Sequence, residues 1–431
     1  MKKLALVLAL VATAHAEVAP QKLTLRGAIE LALGRNPEIV LAERTVEGAT
    51  ARTSGAKAHR LPSVRVDFAG NFYTKPYQLD FGGALFTLYE RETTFTNVVV
   101  SQPLTGLAYL SELVGAAEHE TNASRQEYDK TRLDVAYKTA DAYIHALEAR
   151  ASADVAHRSV ADIDSGLQRA IQLRQAETYT DIDVLRFRSA KAAAEQAALH
   201  ADTQSQEAVA GLTLQMGLRD GTPIEIADDL PPDAPRLVMT LEQAQQRALQ
   251  ARPELRAAHE RLAAANATRV SRREQYLPDI RAIGEWDHAT GVQPFQPSNQ
   301  EFLGLRLSWN VWDWGATHQA VREAEAAQSK AEIESEALVE VVKLDVRKRW
   351  LDAKTAFDSL AAAATQQQAA EEAYRLQKVR FDAGAATTTD VLDAETDVAR
   401  ARLAALVARY DYYLKMVALA RAIGDLPSTQ L

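Results

Sequence analysis

The chain has 431 residues, of which 47% are hydrophobic and 25% are charged, and this composition excludes disorder, collagen-like repeats and mini-protein scaffolds. It contains no cysteine, which excludes disulfides, thiolate metal sites, thiol nucleophiles and anchoring through a lipidated N-terminal cysteine. The formal net charge is −9, from 49 basic and 58 acidic residues. Because no basic run is present, we expect no nucleic-acid partner.

The first 16 residues have the pattern of an export signal. Lys2 and Lys3 precede a short apolar run over 4–11, and Ala14-His15-Ala16 is typical of a cleavage site. We therefore predict a signal peptide over 1–16, so that the mature chain begins at Glu17. The apolar run is too short to cross a membrane, and no later stretch reaches the roughly 18 apolar residues of a transmembrane helix.

An internal repeat organises the rest of the chain. The segment LTLRGAIELALGRNPE from Leu23 aligns with MTLEQAQQRALQARPE from Met239 at an offset of 216, and after about residue 98 the offset becomes 207. The difference of nine residues falls between about residues 70 and 98. The alignment predicts a first repeat over 17–217, a connection over 218–239, a second repeat over 240–424 and a tail over 425–431.

Long helices dominate each predicted repeat. Two short helices, broken in the first repeat at Asn36-Pro37, come first. Runs without proline then predict long helices over 106–175 and 315–382, the first about 105 Å long at 1.5 Å per residue. Return helices follow over 183–217 and 388–424.

The apolar pattern of these helices is that of coiled coils. Spacings of three and four residues predict supercoiled packing at Leu133, Ala136, Ala140, Tyr143 and Leu147. The last helix carries two such stripes, which favours a helix that packs against neighbours on both flanks, as in the wall of a tube. An ordinary bundle with broad apolar faces remains the alternative.

A pair of strands is predicted in each repeat, over 63–74 and 92–103 and over 279–290 and 300–311. Apolar and polar residues alternate in them, which fits strands with lipid on one side and water on the other, although a half-buried sheet in a soluble protein alternates in the same way. Aromatic residues near the strand ends are candidate membrane-interface residues: Tyr73, Tyr77, Trp286, Phe295, Trp309, Trp312 and Trp314.

Four strands are too few to span a membrane alone. A membrane sheet must close because unpaired backbone groups cannot face hydrocarbon, and the smallest common barrels have about eight strands. The pattern therefore predicts an oligomer of at least two copies, and three copies would supply twelve strands.

Several motifs resemble those of the TolC family of bacterial outer membrane efflux proteins. They are the doubled LTLxxAxxLALxxNPE opening, the Leu-Pro before the first strand, and VRFDAGAATTTDVLDAET from Val379 to Thr396; the resemblance covers nearly the whole mature chain. It implies a mainly α fold with a small β part, in which a homotrimer forms an outer-membrane β-barrel and a long periplasmic α-helical barrel. An equatorial region at 218–239 is also implied.

The resemblance further implies a function and partners. The expected function is passive export through the outer membrane within a tripartite efflux or type I secretion system. The expected partners are outer-membrane lipid, a periplasmic adaptor protein and an inner-membrane pump. Drugs, metal ions and secreted polypeptides are the classes of cargo that the resemblance implies.

Candidate site residues follow from the same resemblance, because family members close their periplasmic end with acidic side chains at the helix-hairpin tips. The matching positions are Asp390 and Asp393, and the internal repeat adds Asp183. Rings of such carboxylates would attract cations, but Asp390 could also be a helix N-cap and Asp393 an N3 carboxylate.

Other positions at the tips match the family only in part. Gly384 fits an adaptor-contact groove, and its repeat mate Glu177 is the candidate in a second groove. Phe381 and Ala386 replace a tyrosine and a basic residue that family members use as latches, so the bonds of the closed state should differ.

Two other functional classes compete with a channel: an enzyme and a soluble scaffold. The sequence contains no HxxxH, GxSxG, P-loop or GxGxxG motif, so we predict no catalytic residue, cofactor or metal site. A soluble periplasmic coiled-coil adaptor or scaffold is the stronger rival because its helices would look the same. The amphipathic strands and the full duplication favour the channel.

Overall fold

The computed structural model describes residues 22–292 and 297–426. The predicted signal peptide, Phe295 and residues 427–431 of the predicted tail lie outside the described residues. Within the described part the chain is mainly helical with a small β part, which confirms the predicted fold class. None of the described helices is both long and apolar enough to cross a membrane.

The two repeats have the same order of elements: two short helices, a strand pair, a long helix and a return helix. The first repeat contains α1 (Leu25–Arg35), α2 (Pro37–Ala58), β2 (Ser63–Phe72), β3 (Tyr77–Phe81), β4 (Ala84–Pro103), α3 (Leu107–Gln175) and α4 (Asp181–Gln215). The second contains α5 (Leu241–Ala251), α6 (Pro253–Glu274), β6 (Asp279–Val292), β7 (Asn299–Ser308), α7 (Ala316–Asp382) and α8 (Thr388–Ala422). A small parallel pair, β1 (Lys22–Leu23) and β5 (Glu225–Ile226), joins the chain start to the connection between the repeats.

The break between the first two helices of each repeat is fixed by a proline and by a distant glycine. Asn36 ends α1 and caps α2, with its side chain accepting from the Glu38 N–H at 2.8 Å. Gly217 packs on this break with φ 72°, so close that a Cβ there would lie 2.5 Å from the Arg35 carbonyl oxygen. In the second repeat Gly424 packs in the same way on Ala251, with φ 85°.

Each long helix is tied to the start of its own repeat by an equivalent hydrogen bond. The Tyr143 hydroxyl donates to the Leu23 carbonyl at 2.9 Å, and the Trp350 Nε1–H donates to the Met239 carbonyl at 2.9 Å. These four residues superpose under the two offsets of the sequence alignment. The duplication is therefore present in the packing as well as in the sequence.

The strands form one antiparallel sheet in the order β2-β4-β6-β7, with β3 paired to β4 beyond the end of β2. This hairpin differs from the prediction, since β4 begins at Ala84 rather than near residue 92, and β3 was not predicted. The extra length of the first repeat lies in this hairpin. In the described sheet, β2 and β7 are the two edges.

The helices form a single layer in which each has defined neighbours. Near the sheet the order is α2-α3-α6-α7, and toward the hairpin tips it is α4-α3-α8-α7. All five coiled-coil positions predicted on α3 between Leu133 and Leu147 are at most 6% exposed. One flank of the chain consists of β2, α2 and α4, and the other consists of β7 and α7. Neither flank has a neighbour among the described elements.

Candidate functional site

The strand register sorts the side chains of the sheet onto two faces. Val66, Val98 and Trp286 lie in one row across β2, β4 and β6, and the rows of the same phase form an apolar face: Val64, Val66, Phe68, Val98, Val100, Ile280, Ala282, Trp286, Leu303, Leu305 and Leu307. The opposite face is mostly polar and carries Arg65, Asp67, Asn71, Asn97, Arg281, Glu285, Asp287 and Arg306.

Side chains on the polar face are joined by hydrogen bonds across neighbouring strands. The Asn97 side-chain amide donates to Glu285 and to Asp287, each at 2.6 Å. On the apolar face, the stretch from Ile280 to Trp286 spans about 20 Å at roughly 3.4 Å per residue, close to the roughly 25 Å apolar band of membrane barrels. The sheet thus has the dimensions and polarity of a segment of a lipid-facing wall around a polar lumen.

The predicted interface aromatics divide between the two faces and the strand ends. Trp309, Trp312 and Trp314 follow β7 and are 56%, 73% and 89% exposed, with Trp309 donating to the Tyr276 carbonyl at 3.1 Å. Trp286 lies on the apolar face, stacked on His288.

Tyr73 and Tyr77 lie on the other side of the sheet. Their ring centroids are 6.0 Å and 6.1 Å from that of Tyr89. The centroid of the Tyr89 ring lies 6.4 Å from that of the Phe95 ring. Phe95 is two residues from Asn97 on β4, so the two side chains share a face. The two tyrosines therefore belong to the polar face, and an interface role remains a prediction for the four tryptophans only.

At the hairpin tips, two equivalent capping boxes hold the starts of the return helices. Thr180 and Thr387 are the N-caps, and their backbone N–H groups donate to Asp183 at 2.9 Å and to Asp390 at 2.8 Å. The interpretation of Asp390 as N-cap and Asp393 as N3 is therefore wrong: the N-cap is Thr387 and Asp390 is the N3 residue, three positions earlier than expected for each role. A threonine hydroxyl can accept from the N3 amide while also donating to the N3 carboxylate, which makes this reciprocal pair favourable.

The three candidate gate carboxylates differ in their partners. Burial tends to raise the pKa of Asp183, but hydrogen bonds from Thr180 and Thr388 outweigh it and lower that pKa below its ordinary value. Hydrogen bonds from Thr387 likewise lower the pKa of Asp390. Asp393 is exposed and makes no hydrogen bond or ion pair with the described residues, so its charge is available to a lumen.

The two groove candidates occupy the same position of equivalent helix ends. Glu177 and Gly384 end α3 and α7 with φ 59° and 69°, each followed by a residue whose N–H donates back to the preceding turn. The two tips touch, because a Cβ on Gly384 would lie 3.5 Å from the Thr178 methyl group. The two groove candidates therefore lie at the same end of the molecule.

A hydrogen bond between the tips, which is a candidate latch, was missed by the sequence analysis. The Tyr179 hydroxyl donates to the Ala386 carbonyl at 2.6 Å, and its ring lies 5.1 Å from that of Phe381. Tyr179 thus supplies the hydroxyl that Phe381 lacks. The repeat alignment did contain the signal, because it superposes Tyr179 on Ala386.

A partly buried polar network near the tips was also missed. Glu395 on α8 is 4% exposed and accepts from the Ser159 hydroxyl at 2.5 Å, while Arg402 bridges Asp162 on α3 and Glu371 on α7, each at 3.1 Å. Burial raises the pKa of Glu395, and the charge of Asp162 raises it further. The sequence did contain a signal, because Glu395 lies between Val391 and Val398, which belong to an apolar stripe of α8.

Metal chemistry finds no support in the described ranges, where no group of three or more histidine or acidic side chains could hold an ion. What the geometry offers is a lipid-compatible sheet joined to a layer of long helices with acidic tips. This arrangement defines the class of outer-membrane channels that continue into the periplasm as helices.

Comparison with known proteins identifies the family within this class. The family model for the outer membrane efflux protein matches residues 28–218 and 244–425, so the chain belongs to the outer membrane efflux protein family. It is an outer-membrane efflux channel with its helical part in the periplasm, which confirms the predicted family, function and location.

Individual relatives agree with this assignment. Protein CyaE of Bordetella pertussis is 26% identical over 416 residues, covering 94% of this chain and 84% of that protein. Outer membrane efflux protein BepC of Brucella suis is 24% identical over 368 residues, covering 83% and 78%. The fold is similar to the solved outer membrane protein VceC from Vibrio cholerae, with a TM-score of 0.79 and 18% identity over 93% of this chain and 96% of that one.

Proposed function

We propose that three copies of this chain assemble into one continuous, passive export duct. The observation that carries the proposal is the pair of open flanks, β2 with α2 and α4 on one side and β7 with α7 on the other. Because the flanks differ, copies join head to tail, and a closed ring results when the rotation closes. Three copies bring twelve strands together, enough for a membrane barrel.

The side chains on the flanks support such contacts. Large apolar residues at Leu41 on α2 and Leu199 on α4 are 67% and 68% exposed in the single chain. On α7, exposed apolar residues fall on one side of the helix along its length: Ile333, Val341, Leu344, Leu351 and Leu376. A neighbouring copy would bury the exposed apolar residues on each of the two flanks.

The duct is proposed to act with partners and to close at the tips. An inner-membrane pump supplies the energy, and a periplasmic adaptor contacts the grooves at Gly384 and Glu177. Asp393, with Asp390 and Asp183 beside it, forms the acidic periplasmic gate, whose rings favour cations. A soluble scaffold would leave the apolar face of the sheet in water, which disfavours that alternative.

The absence of cysteine allows a direct test by disulfide cross-linking. Val64→Cys on β2 is combined in turn with Leu303→Cys, Leu305→Cys and Leu307→Cys on β7. Because these strands are opposite edges of one chain's sheet, a disulfide requires a second copy, and we expect one combination to give covalent trimers in outer membranes. The same series with Val98→Cys on the inner strand β4 is the control and should give none.

Single-channel recording in planar bilayers completes the test. A purified trimer should conduct ions without an energy source. A protein that is extracted with the periplasm, stays monomeric and forms no β2–β7 disulfide would contradict the proposal.

A further inference from the structure

Polar bonds join the two helical hairpins of one chain, α3 with α4 and α7 with α8, along the whole of α8. Near the end of α8 the Arg421 guanidinium pairs with Asp134 at 2.7 Å, and at its start the Thr388 hydroxyl donates to Asp183 at 2.8 Å. Further hydrogen bonds and ion pairs join Ser159 with Glu395, Asp162 with Arg402, Ser165 with Lys378, Arg169 with Asp382, Tyr179 with Ala386, and Arg186 with Thr389. We call this line of contacts the internal seam.

The duplication relates the internal seam to the contact between copies. Under the sequence offset of 207, α3 and α4 superpose on α7 and α8. In the proposed ring, α7 of one copy meets α4 of the next, which we call the copy seam. Each pair of the internal seam therefore has a counterpart in the copy seam, found by adding 207 to the residue of the first hairpin and subtracting 207 from the residue of the second.

The exposure of the single chain supports this relation. Val417 on α8 and Ile144 on α3 are 1% and 0% exposed and belong to the same core cluster. Their counterparts, Ala210 on α4 and Leu351 on α7, are both exposed. A neighbouring copy would bury at the flanks the same faces that the chain buries at its internal seam.

The chemistry of the two seams differs. The counterpart of Asp134 with Arg421 is Val341 with Leu214 of the next copy, so an ion pair is replaced by two apolar side chains that are 60% and 74% exposed in the single chain. The other counterparts, each with its second residue in the next copy, are Gln366 with Arg188, Ala369 with Glu195, Glu372 with Ile171, Leu376 with Gln175, Ala386 with Tyr179, Asp390 with Asp181, and Asp393 with Ile182. Of these pairs, only Gln366 with Arg188 combines a side-chain donor with a side-chain acceptor.

This difference matters for movement. A hydrogen bond requires a donor–acceptor distance of about 2.7–3.2 Å and a nearly straight angle, so the internal seam resists even a small shift. Apolar contact is not directional and depends on the area that is buried, so the copy seam tolerates sliding. At the tips the copy seam also brings the carboxylates of Asp390 and Asp181 together, and they repel each other although Asp181 also pairs with Arg174 at 2.6 Å.

We propose that the periplasmic tips open first along the three copy seams and that the three internal seams part only afterwards. This inference rests on the trimeric duct proposed above. In the first step the two hairpins of each chain move as one unit and the mouth opens in part. The bonds of the internal seam, that of Tyr179 to Ala386 among them, hold the mouth at this stage until the second step.

An ion pair placed across the copy seam tests the alignment of the copies. Val341→Asp alone puts a carboxylate into an apolar contact, so we expect it to lower the temperature at which the detergent-solubilised trimer dissociates. Adding Leu214→Arg reproduces the pair of Asp134 with Arg421 across the copy seam and should raise that temperature again. Glu207→Arg, two turns from Leu214 on α4, is the matched control and should not restore it.

Cross-linking one seam at a time tests the order of opening. Ala369→Cys with Glu195→Cys spans the copy seam, and Asp162→Cys with Arg402→Cys spans the internal seam. Since the chain has no cysteine of its own, a short, cleavable bifunctional thiol reagent joins only these positions. On a denaturing gel the first variant should give covalent trimers and the second should remain monomeric.

Planar bilayers give the functional readout, with each variant before the reagent as its own control. Cross-linked copy seams should abolish opening, whereas cross-linked internal seams should leave a smaller conductance level, and cleavage of the reagent should reverse both effects. The opposite pattern, or equal effects of the two cross-links, would overturn the proposed order.

The alignment and the assembly fail in distinguishable ways. Trimers that keep the β2–β7 disulfide but give no covalent trimer through Ala369→Cys with Glu195→Cys, and no rescue by Leu214→Arg, would overturn this inference alone. Loss of the β2–β7 disulfide and of trimers altogether would instead overturn the proposed function.

Discussion

Asp390 and Asp393 stand three residues apart in one motif, yet they have different physical situations. The Asp390 carboxylate is held by the backbone and hydroxyl of Thr387 at 2.8 Å and 2.7 Å. Asp393 is exposed and has no partner in the described part of the chain. A sequence motif cannot separate a capping role from a gating role, because both roles need an acidic side chain near a helix start. The hydrogen-bond partners of each carboxylate in the structure do separate them.

Alanine substitutions should therefore separate the two roles. Asp393→Ala removes an exposed charge without removing a hydrogen bond, so we expect a changed conductance or cation preference in bilayers with an unchanged Tm. Asp390→Ala removes the capping box and should lower the Tm of the detergent-solubilised protein. Unchanged ion selectivity in Asp393→Ala would argue that this carboxylate does not line the gate.

Glu395 predicts a dependence of stability on pH. Because its pKa is raised in the folded protein, its contribution to stability is fully present below the ordinary glutamate pKa and is lost as pH rises through the raised value. Glu395→Gln keeps the acceptor for Ser159 and removes the titration. We expect the Tm difference between pH 5 and pH 8 to shrink relative to the wild type.

The control for this effect is an exposed acid on the same helix. Asp397 pairs with Arg400 at 2.9 Å on the surface of α8, so Asp397→Asn should leave the pH dependence close to that of the wild type. Equal pH profiles for wild type and Glu395→Gln would show that Glu395 is not the group responsible.

At the scale of elements, the two glycines that pack on the helix breaks occupy tightly constrained turns. Gly217→Ala would combine a left-handed backbone with a Cβ 2.5 Å from the Arg35 oxygen, and we expect it to cost at least about 2 kcal/mol of unfolding free energy. Gly211→Ala, inside α4 with no atom within 4 Å of the new Cβ, should instead be neutral or stabilising by up to about 1 kcal/mol. Chemical denaturation of both variants measures the contrast.

The Tyr179 latch predicts how the two helical hairpins separate. Tyr179→Phe removes the donor to Ala386, which we expect to weaken the contact by about 1 kcal/mol and to raise the open fraction of the channel. Tyr128→Phe on α3 is a suitable control, because the Tyr128 hydroxyl makes no hydrogen bond with the described residues, while its ring contacts Arg132. Identical gating of the two variants would remove Tyr179 from the closing mechanism.

Elements with a single dominant period were predictable from the sequence, and those with a change of phase were not. The long helices follow from the absence of proline and from apolar spacings of three and four residues, as at Leu133 and Ala136. Strand β3 was missed because Pro76 directly precedes it and because its register with β4 shifts after Tyr77, where Leu88 is an extra residue on β4. Alternation read across such a bulge assigns side chains to the wrong face.

At the scale of the whole molecule, counting strands was enough to predict that one chain is incomplete. The proposed contacts between copies could not be predicted from the sequence, because they would join β2, α2 and α4 to β7 and α7, which are far apart in sequence and lie on opposite sides of each chain. Only the folded chain shows that, among the described elements, the same two flanks lack a neighbour from the sheet to the tips.

The α7 flank gives a test of assembly that does not disturb the single chain. Val341 and Leu344 are 60% and 66% exposed, so changing both to glutamate should leave the helix content intact and abolish the trimer. Val407→Glu on α8, a helix with neighbours on both flanks, is the control and should leave the trimer intact. Size-exclusion chromatography and circular dichroism together decide between loss of assembly and loss of folding.

The unlike ends of α3 and α7 have a consequence for any partner that docks on the tips. In a ring of three chains, tips with Glu177 and Tyr179 alternate with tips that have Gly384 and Ala386, so six similar positions are of two chemical kinds. A partner made of identical subunits would meet a charged, strained turn at every second step and a small, neutral one between. Its subunits would then bind in two classes of unequal strength, three to each class.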